Sequence, residues 1–139
     1  MIRATPELKR VAQRLLGYES PAIAPTSYAE RAGFRVCKKL GQSLSALIGF
    51  GGFVALLQRA LTVSQAEAPE LSALQLGVDG SLEMAGSFEH WLEKGHVAKS
   101  ETVLIAQLLG LVVAFIGKSL VLSLLLEGWP NASFEDWKS

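Results

Sequence analysis

The chain holds a single cysteine, Cys37, and two histidines, His90 and His96. One cysteine makes no disulfide within the chain and no cysteine-rich metal site, and it fits a reducing compartment. Glu93-Lys94-Gly95-His96 has the Glu-x-x-His spacing of di-iron bundles. Such a centre needs a second copy of the motif and two further carboxylates on facing helices. The sequence has no second copy, and Gly95 interrupts the helix that would present the first. There is no G-x-S-x-G nucleophile elbow and no G-x-x-x-x-G-K-[ST] phosphate loop. The glycine-rich GFGG at Gly49–Gly52 follows no strand. Aromatic residues make up 8% of the chain and do not interleave with its N-terminal basic residues, unlike a nucleic-acid reader. The residues after Met1 contain no apolar core of a secretory signal. An enzyme built here would have to draw on His90, His96, Glu89 or Glu93, whose spacing shows no catalytic set. The expectation is a non-enzymatic protein with no metal, no cofactor, no small-molecule substrate and no nucleic-acid partner.

What the sequence has in excess is apolar character. Half of its 139 residues are hydrophobic, 19% are charged and the mean hydropathy is +0.31. That length suits one domain with a sizeable core, and the composition excludes disorder for most of the chain. Net charge is zero but unevenly placed. Residues 1–42 carry eight lysines and arginines against three glutamates, a balance of +5 offset by −5 in the remainder. Such asymmetry suits an anionic partner or membrane leaflet, or attraction between the two halves.

Thr5-Pro6-Glu7 is a helix start: a capping hydroxyl, a proline in the first turn and an acid at the positive helix end. Leu8, Val11, Ala12, Leu15 and Leu16 follow at helical spacing. This predicts a basic amphipathic helix within 1–19, and the proline-containing 20–27 a linker. A second helix is predicted over about 28–40, with Ala32, Val36, Cys37 and Leu40 on its apolar stripe. Cys37 is thus expected in the core. Gly41 is expected to interrupt, followed by a short helix to Ile48, a bend, and a helix from Gly52 to about Ala66. Asp79-Gly80 between short apolar runs predicts a hairpin within 73–84, with strands at about 73–78 and 81–84. A helical turn or two is predicted over 87–94, then one long helix from Ser100 to Gly128. The polar tail, 131–139, carries Phe134 and Trp137 as potential anchors.

On that last helix Ser100, Gln107 and Lys118 fall on one line, beside a strip of small residues, Ala106, Gly110, Ala114 and Gly117. A helix apolar nearly all round is central in a core or lies in lipid. Its uncharged run Thr102–Gly117 is sixteen residues, short of the roughly twenty needed to span.

The segments FRVCKKL (Phe34–Leu40), LLQRAL (Leu56–Leu61), DGSLE (Asp79–Glu83) and VLIAQLLGLVVAFIGKSLVLSLLLEGWP (Val103–Pro130) resemble a family of small uncharacterised bacterial proteins over most of 34–130. The resemblance implies no established activity, so no catalytic residues carry over. The family pattern implies an acidic residue where this chain has Lys118 and a basic one near Ser123, and hence a soluble amphipathic helix. This chain is more apolar there.

Together these readings predict a mainly α protein, with residues 28–130 forming a helical domain around a long apolar C-terminal helix and one small β-hairpin. The expected function is an interaction or assembly module, cytoplasmic, that self-associates or binds a protein partner. Its expected surface is Gly49, Gly51, Gly52, Ala106, Gly110, Ala114, Gly117 and Lys118. The alternative is an inner-membrane protein with spans at about 44–61 and 103–126, an accessory subunit of a membrane complex.

Overall fold

The computed structural model describes residues 5–25, 27–77, 80–84, 91 and 97–134. It is mainly helical, with one small antiparallel hairpin and a long apolar helix near the C-terminus. Helix α1 spans Pro6–Tyr18 and starts as its capping residues dictate, the Leu8 N–H donating to Thr5 Oγ1 at 3.2 Å. It buries Val11, Ala12 and Leu15 in the common core. A 3₁₀ turn at Tyr28–Glu30 leads into α2, Ala32–Ile48, and α3 covers Phe50–Glu67. A second 3₁₀ turn, Pro69–Ala73, precedes strands β1, Leu74–Leu76, and β2, Leu82–Met84, in which Leu74 pairs with Met84 and Leu76 with Leu82. Helix α4 is Val97–Ile116 and α5 is Lys118–Gly128.

Three boundaries differ from the sequence expectation. Gly41 does not interrupt, because α2 runs straight through it. A Cβ there would meet the Phe53 ring at 2.7 Å, so this glycine lets α3 lie close against α2. The bend instead lies at Gly49 alone, with φ +86°, and α3 begins immediately after it. The long final helix is two helices, broken at Gly117 with φ +92°. Apolar periodicity continues across this break, so no pattern marks it. The helical ladders also reach it from both sides: Gly117 N–H donates to the Val113 carbonyl at 2.8 Å, and its own carbonyl accepts from Val121 at 3.2 Å. Each predicted span, 44–61 and 103–126, is therefore divided by a one-residue corner. The strands are shorter than expected. Gly80, at φ +79°, sits in the hairpin turn, whereas Val78 and Asp79 lie outside the described residues, as do the predicted helical turn apart from Trp91, and Trp137.

The two corners share one end of the molecule. Helices α2 and α4 start together at the other end, where Arg31 and Gly33 lie on Glu101. Helix α1 runs antiparallel to α4, with Leu8 beside Gly110 and Leu16 and Gly17 in a cleft with Thr102 and Val103. Helices α3 and α5 return toward the starting end. Glu70, just past α3, accepts from the Ser100 hydroxyl, and Trp129, just past α5, donates to Glu19 at the end of α1 at 2.9 Å. Gly49 and Gly117 therefore lie at the opposite end, the tip.

At φ near +90° and ψ near +155°, a side chain is strained wherever it points. A Cβ at Gly49 or Gly117 meets nothing within 4 Å, so an added methyl would cost backbone strain only. Gly117→Ala is expected to lower stability by about 1–3 kcal/mol in urea unfolding. Gly51 also has open space around it but lies in a helix, so Gly51→Ala is expected to raise stability by about 0.5–1 kcal/mol.

Candidate functional site

The tip is built from the residues flanking the two corners. Leu47 is 48% exposed, Phe50 52%, Phe115 63% and Leu120 40%. Among the described residues only Tyr18, Ile23 and Leu126 are other large apolar side chains so exposed. Helical continuation past either glycine would carry these side chains apart along one rod. The corners instead gather them at one end, with exposed Ala46, Gly51 and Ala114 nearby.

The residues expected to form one surface separate into different roles. Gly49 and Gly117 make the corners. Gly51 faces open space, and Gly52 packs against Ile48, the last residue of α2, across the Gly49 corner. Ala106 is fully buried in the core. Gly110 packs on α1, where an added Cβ would lie 3.2 Å from Leu8 Cδ1, so part of the small-residue strip is covered by this chain's own first helix. The predicted polar line is broken too. Ser100 and Gln107 are buried on α4, while Lys118 opens α5 and pairs with Glu7 of α1 at 3.3 Å. Leu47, Phe50, Phe115 and Leu120 escaped sequence reasoning because apolar residues in apolar helices look like core. The usable signal was their position within three residues of a helix-breaking glycine.

A second cluster lies at the far end. Glu101 is 2% exposed and receives Arg31 through Nη2 at 2.5 Å and Nε at 3.4 Å. Gly33 lies so close that a Cβ there would collide with the carboxylate. Burial pushes the Glu101 pKa up, and the hydrogen bonds and charge of Arg31 and the Gly33 backbone only partly offset this. Burial also holds the Cys37 thiol up at about 12, with the Glu101 charge adding to the shift. Such a thiol stays neutral and is a poor nucleophile. Tyr28 stacks edge-on against Phe34 and Trp91, and burial raises its pKa as well.

Two clefts adjoin these features. One of about 450 Å³ is lined by Cys37, Lys38, Gln42, Phe50, Phe53 and Leu82. The other, of about 550 Å³, is lined by Lys9, Arg31, Lys99 and Glu101. In the second, Lys9 pairs with Glu67 and Arg31 with Glu101, so basic N-terminal residues meet acids of the remainder within one chain. Among the described residues no group of three histidine, cysteine, aspartate or glutamate side chains could hold a metal ion, and His90 and His96 lie outside them. No family model, curated protein or solved structure matches the chain.

Three tests follow from the far-end cluster. Arg31→Ala leaves a buried carboxylate unpaired and is expected to cost about 3–5 kcal/mol at neutral pH, less as acid protonates Glu101. Because the folded pKa of Glu101 is raised, its contribution is present below the unfolded carboxylate pKa and lost as pH rises through the folded one. The wild type should therefore gain stability relative to Glu101→Gln as pH falls from neutral, measured by thermal unfolding across that range. Cys37 should resist thiol reagents in the folded protein and react only on unfolding, followed by mass spectrometry in a denaturant series.

Proposed function

We propose that this protein is a non-enzymatic helical interaction module that docks through the apolar tip around Gly49 and Gly117. The observation that carries the reading is the gathering of Leu47, Phe50, Phe115 and Leu120, all substantially exposed, at one end of the bundle. Fully removing such a side chain from water gains about 1.5–3 kcal/mol, and the exposed half of each is still available for that gain. One-residue corners hold them in place before any partner arrives, which reduces the ordering cost of association. Docking at the tip also leaves the buried Arg31–Glu101 pair untouched at the other end.

The two-span membrane reading draws support from α4, the one helix among the described residues long and apolar enough to cross a bilayer. Yet 61% of its most apolar eighteen-residue window is buried within the bundle, and a core helix has the same composition.

A Leu47→Ser, Phe50→Ser, Phe115→Ser triple variant is expected to melt within a few degrees of the wild type. It should lose the association that the wild type shows, as self-association by light scattering or as sedimentation with membranes. A variant that associates like the wild type, or a wild type that is a monomer and binds nothing in either assay, overturns the proposal.

A further inference from the structure

We infer that the surface on which the tip docks is an anionic lipid bilayer, entered only to the boundary between headgroups and acyl chains; this rests on the docking role proposed above. Three observations carry it. The first is the extent of the charge-free zone. Leu40–Ile48 and Phe50–Gln58, nine residues on either side of Gly49, contain no acidic or basic residue, and nine residues of helix span about 14 Å. Across Gly117, Thr102–Ile116 and Ser119–Leu126 are likewise without charge. One leaflet of hydrocarbon is about 15 Å deep.

The second is the sign of the first charges met on leaving the tip. They are Lys39 on α2, which pairs with Glu19 at 2.7 Å, Arg59 on α3, and Lys118 at the start of α5, which pairs with Glu7, the first charge on α1. Lys38, beside Lys39, and Arg59 are exposed. Lys118 is half-exposed and its ammonium is paired with the Glu7 carboxylate, so this corner carries little net charge. The exposed Lys38 and Arg59, behind an apolar tip, match an anionic lipid surface.

The third is size. At their observed exposures the four large side chains offer roughly 400 Å². A standard protein interface takes about 800 Å² from each partner, with a polar rim and matched hydrogen bonds. A fluid bilayer needs neither that area nor a complementary shape. The depth of entry is limited by the corners themselves. Helices ending and starting there leave backbone N–H and C=O groups without helical partners. Hydrocarbon does not tolerate such groups, whereas the interface, about 5–10 Å deep, supplies water and headgroups.

The test is flotation of the full chain with vesicles of phosphatidylglycerol and phosphatidylcholine in equal parts, against phosphatidylcholine alone, with light scattering of the protein without lipid. The wild type should float with the anionic vesicles, and about tenfold more weakly with the neutral ones. Lys38→Gln and Arg59→Gln should each weaken only the anionic binding, by about fivefold. Leu47→Ser with Phe115→Ser should weaken binding at least about tenfold with a melting temperature within a few degrees of the wild type. A wild type that floats with neither vesicle but forms a dimer that Phe115→Ser dissociates overturns the lipid surface, names a second copy as occupant and leaves the docking role standing. Neither flotation nor self-association overturns both. Carbonate-resistant flotation that ignores salt and the tip variants overturns shallow entry in favour of spanning.

Discussion

The structure depends on covering α4. From Glu101 to Leu109 nine consecutive residues are buried, which happens only when a helix is enclosed on every side. Helices α1, α2, α3 and α5 all pack against it. Enclosure on all sides also buries polar groups that must then find partners. Ser100 donates to Glu70 just past α3, Glu101 takes Arg31 at the entrance to α2, and Thr102 returns its hydroxyl to the Ala98 carbonyl at 2.9 Å. Two of these partners come from separate covering segments. The polar groups of α4 therefore fix how those segments are placed, while its apolar groups supply the driving force.

The cover is incomplete, and chain length explains where. Helix α1 has 13 residues and α4 has 20, so at 1.5 Å per residue the first is about 10 Å too short to line the second. Leu8 meets Gly110, and beyond that level α4 loses its neighbour on this side. Burial fades through Leu111 and Val113 to exposed Ala114 and Phe115. The corner at Gly49 brings Leu47 and Phe50 to the same end. Exposure at the tip thus arises from the same packing that makes the core, one element running out before another.

Much of this could be read from the residues alone. The cap at Thr5, the stripe from Ala32 to Leu40, the core position of Cys37 and the hairpin around Gly80 each rest on local chemistry or period. The glycines were not legible in the same way. Gly33 and Gly41 allow close approach inside a helix, to a carboxylate and to a ring, whereas Gly49 and Gly117 supply a positive φ. A missing side chain looks the same in both cases, and only the tertiary neighbour distinguishes them. The line from Ser100 through Gln107 to Lys118 failed for a related reason. It assumed one unbroken helix, and a single corner residue sends Lys118 to Glu7.

Those corners also resolve the surplus of apolar residues that sets this sequence apart. A soluble core and a membrane span compete for the same composition, and counting residues cannot choose between them. The broken helices distribute the surplus to two places. Most of the apolar window of α4 lies inside the bundle. What is left over collects at the tip, with exposed Lys38 and Arg59 behind it. The charge asymmetry divides likewise. Arg31 and Lys9 are consumed by Glu101 and Glu67 within the fold, so the N-terminal excess of positive charge helps hold the chain together rather than serving wholly as a binding face. A helix can therefore be as apolar as a span and still be explained by its own domain, provided that the chain turns before the covering elements end.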